Sequence, residues 1–560
     1  MSALDEQVRQ AATDWISADV CPADRDELQR ILTAATSGDE SAIAELEDRM
    51  SGPLGFGTAG LRGPLRAGPS GMNLVVVRRA AAGIAAHLRA NGGTRQSVVV
   101  GHDARHRSRE FAEDAANVLS AAGFDVVLSP GPVPTPVTAF AVRHLQAAAG
   151  LQVTASHNPP RDNGLKVYLQ AGAQLVSPTD AAIEAAIAAA PAAGAVNTDG
   201  SPSPWPDDLV DAYRASISAL VPSGHRELCI VTTAMHGVGG QLLLDVLRDN
   251  GFTDVTAVAS QQDPDPDFPT VTFPNPEEPG ATDALLALAD ELGADLAIAN
   301  DPDADRCAIG ARSADGSMRM LRGDETGVLL GDHVLAGLDR TAHPDPLVAT
   351  TIVSSSLLGA VAAAHGARYD ETLTGFKWIV RAGDGQGTGL VFGYEEALGL
   401  CVDPDHVRDK DGISAAAVAA VMAAGLKEQG RTVFDALDEL AVQHGLHVTD
   451  QLSVRVEDLA IIGDAMTRLR AAPPDSLLGT SVSATDVMPR TDAIVLRGTG
   501  VRVVVRPSGT EPKLKAYLQV VVPVEGDLPG AHHRGAELIA RLRGEVADLL
   551  GLYPVPVKDR

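Results

Sequence analysis

With 560 residues, the chain is too long for one hydrophobic core, and ordinary domain sizes predict about three to five domains. Hydrophobic residues make up 45% of the chain and charged residues 21%, which is typical of a globular protein. Lys and Arg number 45 against 73 Asp and Glu, and the resulting net charge of −28 disfavours nucleic acid and anionic membranes as partners. An anionic ligand would therefore need cations gathered at one site.

The cysteines and the start of the chain indicate a reducing compartment. Cys21, Cys229, Cys307 and Cys401 lie far apart and form no CxxC pair, so neither a zinc site nor a disulfide framework is predicted. The opening stretch MSALDEQVRQAATDWIS is polar and acidic, unlike a signal peptide, and no apolar run is long enough for a membrane span. We expect a cytoplasmic protein.

The predicted elements begin with a helical extension, in which Ala, Leu, Glu and Arg recur at helical spacing. Three later segments repeat one plan: an apolar strand, a polar loop, an amphipathic helix and a turn into another strand. The opening strands of these segments are SVVVGHDAR, ELCIVTTAMHG and PLVATTIVSS. Strands that alternate with helices predict parallel α/β sheets, whose ligands lie at the loops that follow the strands.

The last part of the chain follows a different plan. The strands GVRVVVRP and LKAYLQVVV precede the helical pattern GAELIARLRGEVADLL, which predicts a smaller α+β domain. The Pro-rich stretch SPSPWPDD is interpreted as a boundary between the first two α/β domains. The predicted organisation is an extension over residues 1–50, α/β domains over 51–205, 206–320 and 321–446, and an α+β domain over 447–560.

Two polar loops in the first α/β domain contain candidate reactive residues. FGTAGLRG places Arg62 among three glycines, although a plain Gly-rich turn is an alternative. TASHNPPRDNGLKVY offers Ser156 as a nucleophile, with His157 and Lys166 nearby as cations or proton carriers. A serine in a turn is usually structural, and this loop lacks the GxSxG pattern of a hydrolase elbow.

The loop NDPDADR follows the apolar run ADLAIA and presents Asp301, Asp303 and Asp305 at alternate positions. Three carboxylates this close repel one another, and an all-oxygen set suits a hard cation such as Mg²⁺ or Ca²⁺. An EF-hand is excluded, because its Gly and Glu positions hold Arg306 and Arg312. A solvated acidic turn is the alternative, but Arg306 beside a metal suggests that both face an anion.

The loop RPSGTEPK lies between two apolar strands and has the composition of a phosphate-binding loop. Arg506 can donate two hydrogen bonds to phosphate oxygens, Ser508 and Thr510 offer hydroxyls, and Gly509 lets backbone amides approach closely. A simple hairpin turn remains the alternative, since Pro, Ser and Gly are turn formers.

Taken together, these loops resemble those of the α-D-phosphohexomutase superfamily, the phosphoglucomutase and phosphomannomutase group. The matching motifs are GTAGLRG, TASHNP, DPDADR, TGFKWI, YEEALG and RPSGTEPK, in the family's order over about residues 50–525. The resemblance implies an α/β fold class: three similar α/β domains with mixed sheets plus a C-terminal α+β domain, around a central cleft.

The resemblance also implies residue roles. Ser156 would be the phosphoserine, and Asp301, Asp303 and Asp305 would bind Mg²⁺ together with its phosphate. The expected catalytic residues are Ser156, Arg62, His157, Lys166 and Lys377. The expected substrate-binding residues are Arg306, Glu395, Glu396, Arg506, Ser508, Gly509 and Thr510. Lys377 and His157 are both candidates for the general base.

The implied reaction interconverts hexose 1-phosphate and hexose 6-phosphate, of glucose or mannose, through a phosphoserine enzyme and a bisphosphorylated sugar. The implied cofactor is Mg²⁺, with a sugar bisphosphate of the glucose 1,6-bisphosphate type as activator. We expect a small-molecule sugar phosphate as ligand, no nucleic acid or membrane partner, and a monomer or small homo-oligomer.

The sugar loop departs from the commoner pattern of the family. Where many hexose mutases have Glu, one residue and then Ser, this chain has Glu395, Glu396 and Ala397. With TGFKWI, this loop resembles the branch that contains phosphopentomutases and glucose 1,6-bisphosphate synthases, so a pentose phosphate is the main alternative substrate. A non-catalytic sugar-phosphate binder and a metal-dependent phosphatase are the rival functions.

Overall fold

The structure is a computed structural model that describes residues 4–57, 60–92, 96–313, 315–456, 458–508 and 513–551. Residue contacts divide the chain into two compact units. Unit 1 comprises Met1–Ala311, Ser317–Met320 and Gly399–Gly425, and unit 2 comprises Arg312–Gly316, Leu321–Leu398 and Leu426–Arg560. Of the helices in the described residues, none combines the length and hydrophobicity that crossing a bilayer requires.

Unit 1 begins with three helices, in the stretch for which a helical extension is predicted. Its helices are α1 (Glu6–Ala18), α2 (Pro22–Thr36) and α3 (Glu40–Arg49). Asp5 and Asp39 cap α1 and α3 by accepting hydrogen bonds from backbone N–H groups of the first turn. The apolar faces of the three helices bury Leu28, Ile43 and Leu46 in a small core of their own.

The first sheet of unit 1 is mixed. Its strands are β1 (Leu61–Pro64), β2 (Ser97–His102), β3 (Asp125–Leu128), β4 (Ala149–Val153), β5 (Asp162–Leu169) and β6 (Ser203–Pro204), in the order β1-β5-β4-β2-β3-β6. Strand β2 is parallel to β3 and β4, whereas β5 is antiparallel to β4 and β1. The accompanying helices are α4 (Leu74–Gly92), α5 (Ser108–Ala121), α6 (Thr135–His144), α7 (Thr179–Ala188) and α8 (Leu209–Leu220).

The second sheet of unit 1 has five strands. They are β7 (Ile230–Thr233), β8 (Val255–Ala257), β9 (Leu296–Asn300), β10 (Cys307–Arg312) and β11 (Met318–Met320), in the order β11-β10-β9-β7-β8. The helices are α9 (Gly240–Asp249) and α10 (Asp283–Leu292). Every residue of β9 is buried, so the acidic loop that follows Asn300 starts at the carboxyl end of a central strand.

Unit 2 contains the third strand-and-helix segment. Its elements are α11 (Gly323–Gly337), β12 (Leu347–Thr351), α12 (Leu357–Ala364), β13 (Arg368–Thr372), α13 (Phe376–Ile379) and β14 (Leu390–Glu395). Strand β12 pairs in parallel with both β13 and β14. The chain then forms β15 (Gly399–Cys401) and α14 (Gly412–Glu428), most of which belongs to unit 1, before α15 (Val433–His444) in unit 2.

The C-terminal part of unit 2 is an antiparallel sheet covered by two helices. Its elements are β16 (Leu446–Arg455), α16 (Leu459–Ala471), β17 (Ser476–Leu477), β18 (Thr480–Asp486), β19 (Ile494–Gly498), β20 (Val501–Pro507), β21 (Lys513–Val522) and α17 (Leu528–Leu550). The strand order is β16-β21-β20-β19-β18-β17. Alternate residues of β20, such as Val503 and Val505, pack with Leu542 and Val546 of α17 in one core.

The predicted fold class of three α/β segments and a C-terminal α+β domain is confirmed. The predicted strand, helix and strand of each repeat correspond to β2-α5-β3, β7-α9-β8 and β12-α12-β13. The Pro-rich stretch at residues 201–208 differs from a plain linker, since Ser203 and Pro204 pair with β3 as an edge strand and Trp205 is buried. Proline is tolerated there because an edge strand needs fewer backbone donors.

Candidate active site

Ser156 lies three residues beyond β4, at the carboxyl end of the first sheet. The residue is 4% exposed, its φ is +50°, and its backbone N–H donates to the Thr154 hydroxyl at 2.9 Å. A serine in the left-handed region is uncommon, and such conformations persist only where their surroundings hold them. The surrounding loop therefore fixes the direction in which the Ser156 hydroxyl points.

Arg62 lies directly beside this serine. Its guanidinium donates to Ser156 Oγ at 3.2 Å and to Asn158 Oδ1 at 3.1 Å. Strand β1 pairs with β5, and Gly60 crosses β5 so closely that a Cβ there would lie 1.8 Å from the Leu165 carbonyl oxygen. Gly60, the second glycine of GTAGLRG, also has a φ of +80°. The fold therefore requires glycine at this position, both for its backbone conformation and for the close approach to β5.

Arg105 holds the backbone of the serine loop, and sequence reasoning missed it. Its buried guanidinium donates to the carbonyl oxygens of Ser156 and Asn158, both at 2.6 Å, and of Pro159 at 2.8 Å. Asp103, also buried, faces Arg105 Nε at 3.3 Å. The signal was available, because Asp103 and Arg105 follow β2, the strand next to β4, at the edge where ligand loops gather.

The three aspartates of NDPDADR form one buried cluster. Asp301 and Asp303 are 0% exposed and Asp305 is 1% exposed, and ligand oxygens of all three lie within 4.8 Å of one another. Burial and the charges of Asp303 and Asp305 raise the pKa of Asp301 well above its ordinary value. Three carboxylates held this closely away from water favour a bound cation.

Lys166 supplies part of that positive charge. Its Nζ donates to Asp303 Oδ2 at 2.7 Å and to Asp305 Oδ2 at 2.6 Å. Burial lowers the pKa of Lys166, but the two carboxylates outweigh burial and raise the pKa above its ordinary value. Burial likewise raises the pKa of Asp305, but Lys166 and Lys410 outweigh it and hold that pKa below its usual range.

The cluster also fits a metal ion. Asp301 Oδ2, Asp303 Oδ1 and Asp305 Oδ1 are buried and have no hydrogen-bond partner within the residues that the structure describes. One oxygen of each aspartate is thus left for a ligand, while Lys166 engages the opposite oxygen of two of them. Carboxylate oxygens are preferred ligands of Mg²⁺ and Ca²⁺, so the donor set suits a hard divalent cation.

His157 and Arg306 border the serine and aspartate loops. Burial, together with the positive charges of Arg306 and Arg62, lowers the pKa of His157 well below its ordinary value, so the imidazole is neutral near pH 7. The backbone N–H of Arg306 donates to Asp301 Oδ1 at 3.0 Å, and its guanidinium donates to Glu277 at 3.2 Å. The neutral imidazole has a lone pair to accept a proton, but burial and the two guanidiniums make it a weak base.

Two further contacts to the aspartates were not foreseen. Lys410 Nζ lies 3.3 Å from Asp305 Oδ2, and the Thr135 hydroxyl donates to Asp303 Oδ2 at 2.5 Å. Lys410 lies in the segment that returns to unit 1. No local pattern reports a contact between residues this far apart in the chain, so only the fold reveals it.

The expected sugar-loop residues lie in unit 2. Glu395 ends β14, and both it and Glu396 are partly exposed. The hydroxyls of Ser354 and Thr351 donate to Glu396 Oε2 at 3.1 and 3.3 Å, and the Glu396 N–H donates back to Ser354 Oγ at 3.2 Å. Sequence reasoning missed these hydroxyls. The signal was their position, because IVSSS follows β12 of the third repeat as DAR follows β2 of the first.

The other expected residues of unit 2 lie in short connections. Lys377 belongs to the four-residue helix α13, with Nζ 5.9 Å from the Trp378 ring centroid. Arg506 lies in β20 opposite Lys515, and the Ser508 N–H donates to the Lys513 carbonyl at 2.8 Å. The strands on either side of RPSGTEPK, β20 and β21, are antiparallel. Gly509 and Thr510 lie outside the described residues.

Comparison with known families accounts for the chain from residue 53 to residue 541. Four models of phosphoglucomutase/phosphomannomutase match in order: α/β/α domain I at residues 53–193, domain II at 208–314, domain III at 322–443 and the C-terminal domain at 452–541.

Individual relatives agree with these matches. A protein of Haemophilus influenzae named "Probable phosphomannomutase" is 42% identical over 460 residues, 80% of this chain and 93% of that one. The human phosphopentomutase is 32% identical over 93% of this chain and 92% of its own length. A solved structure from Thermus thermophilus superposes with a TM-score of 0.70 at 26% identity, covering 90% of this chain and 100% of that one.

The fold and these matches define an enzyme of the intramolecular phosphotransferase class, a mutase. The chain belongs to the phosphoglucomutase/phosphomannomutase family.

Proposed function

We propose that this chain interconverts hexose 1-phosphate and hexose 6-phosphate, of glucose or mannose, through a phosphoserine at Ser156 and a bisphosphorylated sugar. The observation that carries the proposal is the placement of Ser156 Oγ at 3.2 Å from Arg62, on a loop next to three buried carboxylates with oxygens left for a metal ion. A sugar-phosphate binder without catalysis would need neither this serine nor the carboxylates.

The chemistry assigned to Ser156 is two successive phosphoryl transfers. In the first, the bond between phosphorus and Ser156 Oγ breaks and a bond to a free sugar hydroxyl forms, which gives the bisphosphate. In the second, the bond between the sugar's other phosphorus and its sugar oxygen breaks, a bond from that phosphorus to Ser156 Oγ forms, and the sugar oxygen takes up a proton to become a hydroxyl. Phosphoryl transfer depends mainly on positioning and charge neutralisation, which Arg62 and Lys166 provide from β1 and β5.

Each transfer also moves one proton from the attacking hydroxyl to a base. His157 is one candidate for that base, since its imidazole is neutral and has a lone pair, but its lowered pKa makes it a weak base. Lys377 of unit 2 remains the second candidate, and it would serve only in its deprotonated form.

We assign Mg²⁺ to Asp301, Asp303 and Asp305, with the phosphate of Ser156 completing the ligand set. When bound there, Mg²⁺ supplies charge neutralisation at the phosphoryl oxygens.

The loops of unit 2 would orient the substrate. We propose that Glu395 and Glu396 bind sugar hydroxyls, and that Arg506 and Ser508, with Gly509 and Thr510, bind the phosphate that is not reacting. A reaction that exchanges two phosphate positions needs one site for the reacting phosphate and one for the phosphate that is held. We therefore assign the first to the Ser156 loop and the second to RPSGTEPK.

A pentose phosphate is the second candidate substrate. Phosphopentomutases match 93% of this chain, a larger share than the 80% matched by the relative named for mannose, and Ala397 stands where many hexose mutases have serine. We favour the hexose reaction because the relative named for mannose is the more similar in sequence, at 42% identity against 32%.

The test has two parts, both on the full-length protein. Intact-mass and peptide analysis, after incubation with glucose 1,6-bisphosphate, should find one phosphoryl group on Ser156. Rates on glucose, mannose, ribose and deoxyribose 1-phosphates should then be greatest for a hexose. An unphosphorylated Ser156 with full turnover would contradict the assignment, and release of inorganic phosphate in place of an isomer would indicate a phosphatase.

A further inference from the structure

The helical extension α1–α3 contacts a loop that leads directly from Arg62. This loop, residues 65–72, connects β1 to α4 and is compact. The Asn73 side chain, 0% exposed, donates to the carbonyl oxygens of Arg66, Gly68 and Gly71 at 2.8 to 3.2 Å. A displacement of this loop would therefore move β1, because the loop is held together by hydrogen bonds and follows the strand directly.

Two helices of the extension bind the backbone N–H and carbonyl of one residue of that loop, Ala67. The Ala67 N–H donates to Glu27 of α2 at 3.2 Å, and Arg49 of α3 donates to the Ala67 carbonyl at 3.2 Å. Arg49 also donates to Glu27 at 2.8 Å, which closes the arrangement into a ring of charged groups around the backbone of Ala67. We call Glu27 and Arg49 the Ala67 clamp.

The clamp is partly buried, since the Glu27 side chain is 32% exposed. The Arg49 side chain is 8% exposed and Ala67 is 0% exposed, within the core that the three helices form. Gly68, with a φ of +104°, would place a Cβ 3.1 Å from the Arg49 carbonyl oxygen, so the loop lies directly against α3. Charge-assisted hydrogen bonds at this degree of burial hold geometry more firmly than surface ion pairs do.

The extension also contacts the second loop that shapes the site. Asp24 of α2, 7% exposed in its side chain, accepts hydrogen bonds from Arg107 at 2.8 and 3.1 Å. Arg107 is two residues beyond Arg105, whose guanidinium holds the Ser156 carbonyl. The extension therefore contacts the loop that follows Arg62 and the segment that contains Arg105, which holds the Ser156 loop.

We propose that the N-terminal helices are a positioning module for the reaction, in which Glu27 and Arg49 set the place of Arg62 through the backbone of Ala67. The family models begin at residue 53, so the module lies outside the part of the chain that they match. Glu27 and Arg49 are positioning residues and do not touch substrate. The proposal rests on the assignment of Arg62 and Ser156 made above.

The test is a double-mutant cycle between Glu27 and Arg62. Glu27→Gln keeps the shape of the side chain but removes its charge, and we expect kcat to fall about tenfold with KM changed less than about twofold, because misplacement acts on the transition state. In the Arg62→Ala background, Glu27→Gln should lower kcat further by less than about twofold, since the group it positions is gone.

The control is Glu45→Gln. Glu45 accepts from the same Arg49 at 2.8 Å, lies on the same module and has no hydrogen bond to Ala67, so its loss should leave kcat within about twofold of wild type. If Glu27→Gln is insoluble, Arg49→Lys, which keeps the charge but loses the forked donor geometry, enters the same cycle.

The outcomes separate this proposal from the proposed function. Equal losses from Glu27→Gln in both backgrounds, or no loss in either, would overturn the positioning role while leaving the mutase assignment intact. Wild-type activity of Arg62→Ala would instead overturn the assignment of Arg62, and the positioning role with it. The rate at which glucose 1,6-bisphosphate phosphorylates Ser156, followed by intact mass, gives a second readout that should fall in parallel with kcat.

Discussion

The two units hold their candidate site residues in different ways. In unit 1 Ser156, the aspartates and Lys166 are almost completely buried, and Lys166 donates short, charged hydrogen bonds to Asp303 and Asp305. In unit 2 Lys377, Glu396 and Arg506 are partly exposed, and Glu396 is held by neutral hydroxyls. Buried charged side chains fix the geometry of a site at a high cost in desolvation. Exposed charged side chains can be substituted with a smaller change in free energy.

This difference suggests a division of labour. The chemistry of phosphoryl transfer is the same for any sugar and needs a rigid, preorganised set of charges, which unit 1 provides. The choice of sugar depends on a few hydrogen bonds that are individually weak, which is the kind of contact that unit 2 offers. Substitutions in unit 1 should therefore affect the rate, and substitutions in unit 2 should affect which substrate is used.

The largest effect is expected for Ser156→Ala. Removing the only proposed phosphoryl acceptor should lower turnover by about 10³-fold or more, equivalent to roughly 4 kcal/mol in the barrier. Coupled assays of isomer formation measure the loss, and circular dichroism should show an unchanged fold. Turnover at the wild-type rate would refute the central role of this loop.

Asp301→Asn should have the next largest effect. Replacing one carboxylate by a neutral amide should reduce turnover by about 10²-fold and raise the Mg²⁺ concentration needed for half-maximal rate. Calorimetric titration of Mg²⁺ provides a readout independent of activity. Asp267→Asn, an exposed site in the same unit, is the control, and an unchanged Mg²⁺ requirement in Asp301→Asn would contradict the metal assignment.

Asp411 tests the cost of burying charge in unit 1. Burial raises the pKa of Asp411 from 3.8 to about 6, although Tyr213 and two backbone N–H groups donate to it. The folded chain then binds more protons than the unfolded chain between these values, so its stability falls as the pH rises from about 4 to about 6. The loss is at most roughly 3 kcal/mol.

Asp411→Asn removes this titration. The midpoint of thermal unfolding of the variant minus that of wild type should be larger at pH 7.5 than at pH 4.5. Asp435 of unit 2 gives a control of opposite sign, because hydrogen bonds from Thr432 lower its pKa and its contribution is lost as the pH falls. A difference between wild type and Asp411→Asn that is the same at both pH values would show that Asp411 is not titrating.

The smallest effect is expected in unit 2. Ser354→Ala removes the hydroxyl that makes two hydrogen bonds with Glu396 and should raise KM about fivefold, or roughly 1 kcal/mol, with kcat nearly unchanged. The ratio of rates on hexose and pentose phosphates should change as well. Ser356→Ala, whose hydroxyl accepts from Gln519 and has no hydrogen bond to Glu396, is the matched control. A fall in kcat alone would contradict the division between the units.

Much of the fold follows from local pattern. The three strand-and-helix segments and the C-terminal strand pair are confirmed because each rests on periodic apolar residues within about thirty positions of one another, where local preference and burial agree. The edge strand at Ser203 and Pro204 was missed for the opposite reason, since two residues rich in turn formers show no period.

The site divides along similar lines. Ser156, Arg62, Lys166 and the three aspartates follow strands in recognisable motifs, and the structure gathers them in unit 1. Arg105 and Ser354 were missed even though each follows a strand, because their motifs show a common turn composition and no distinctive chemistry. The extension received no role because its importance lies in contacts, such as that of Glu27 with Ala67, that helical periodicity does not report.

The sequence by itself determined the family and the order of its domain matches, and it supplied the candidate site residues, because these depend on motifs whose members are close in the chain. Tertiary structure alone decided that Lys410 reaches Asp305, that Arg105 holds the serine loop and that Glu27 and Arg49 enclose Ala67. The physical reason is that charge pairing and burial act over a few ångströms in space, whatever the separation along the chain.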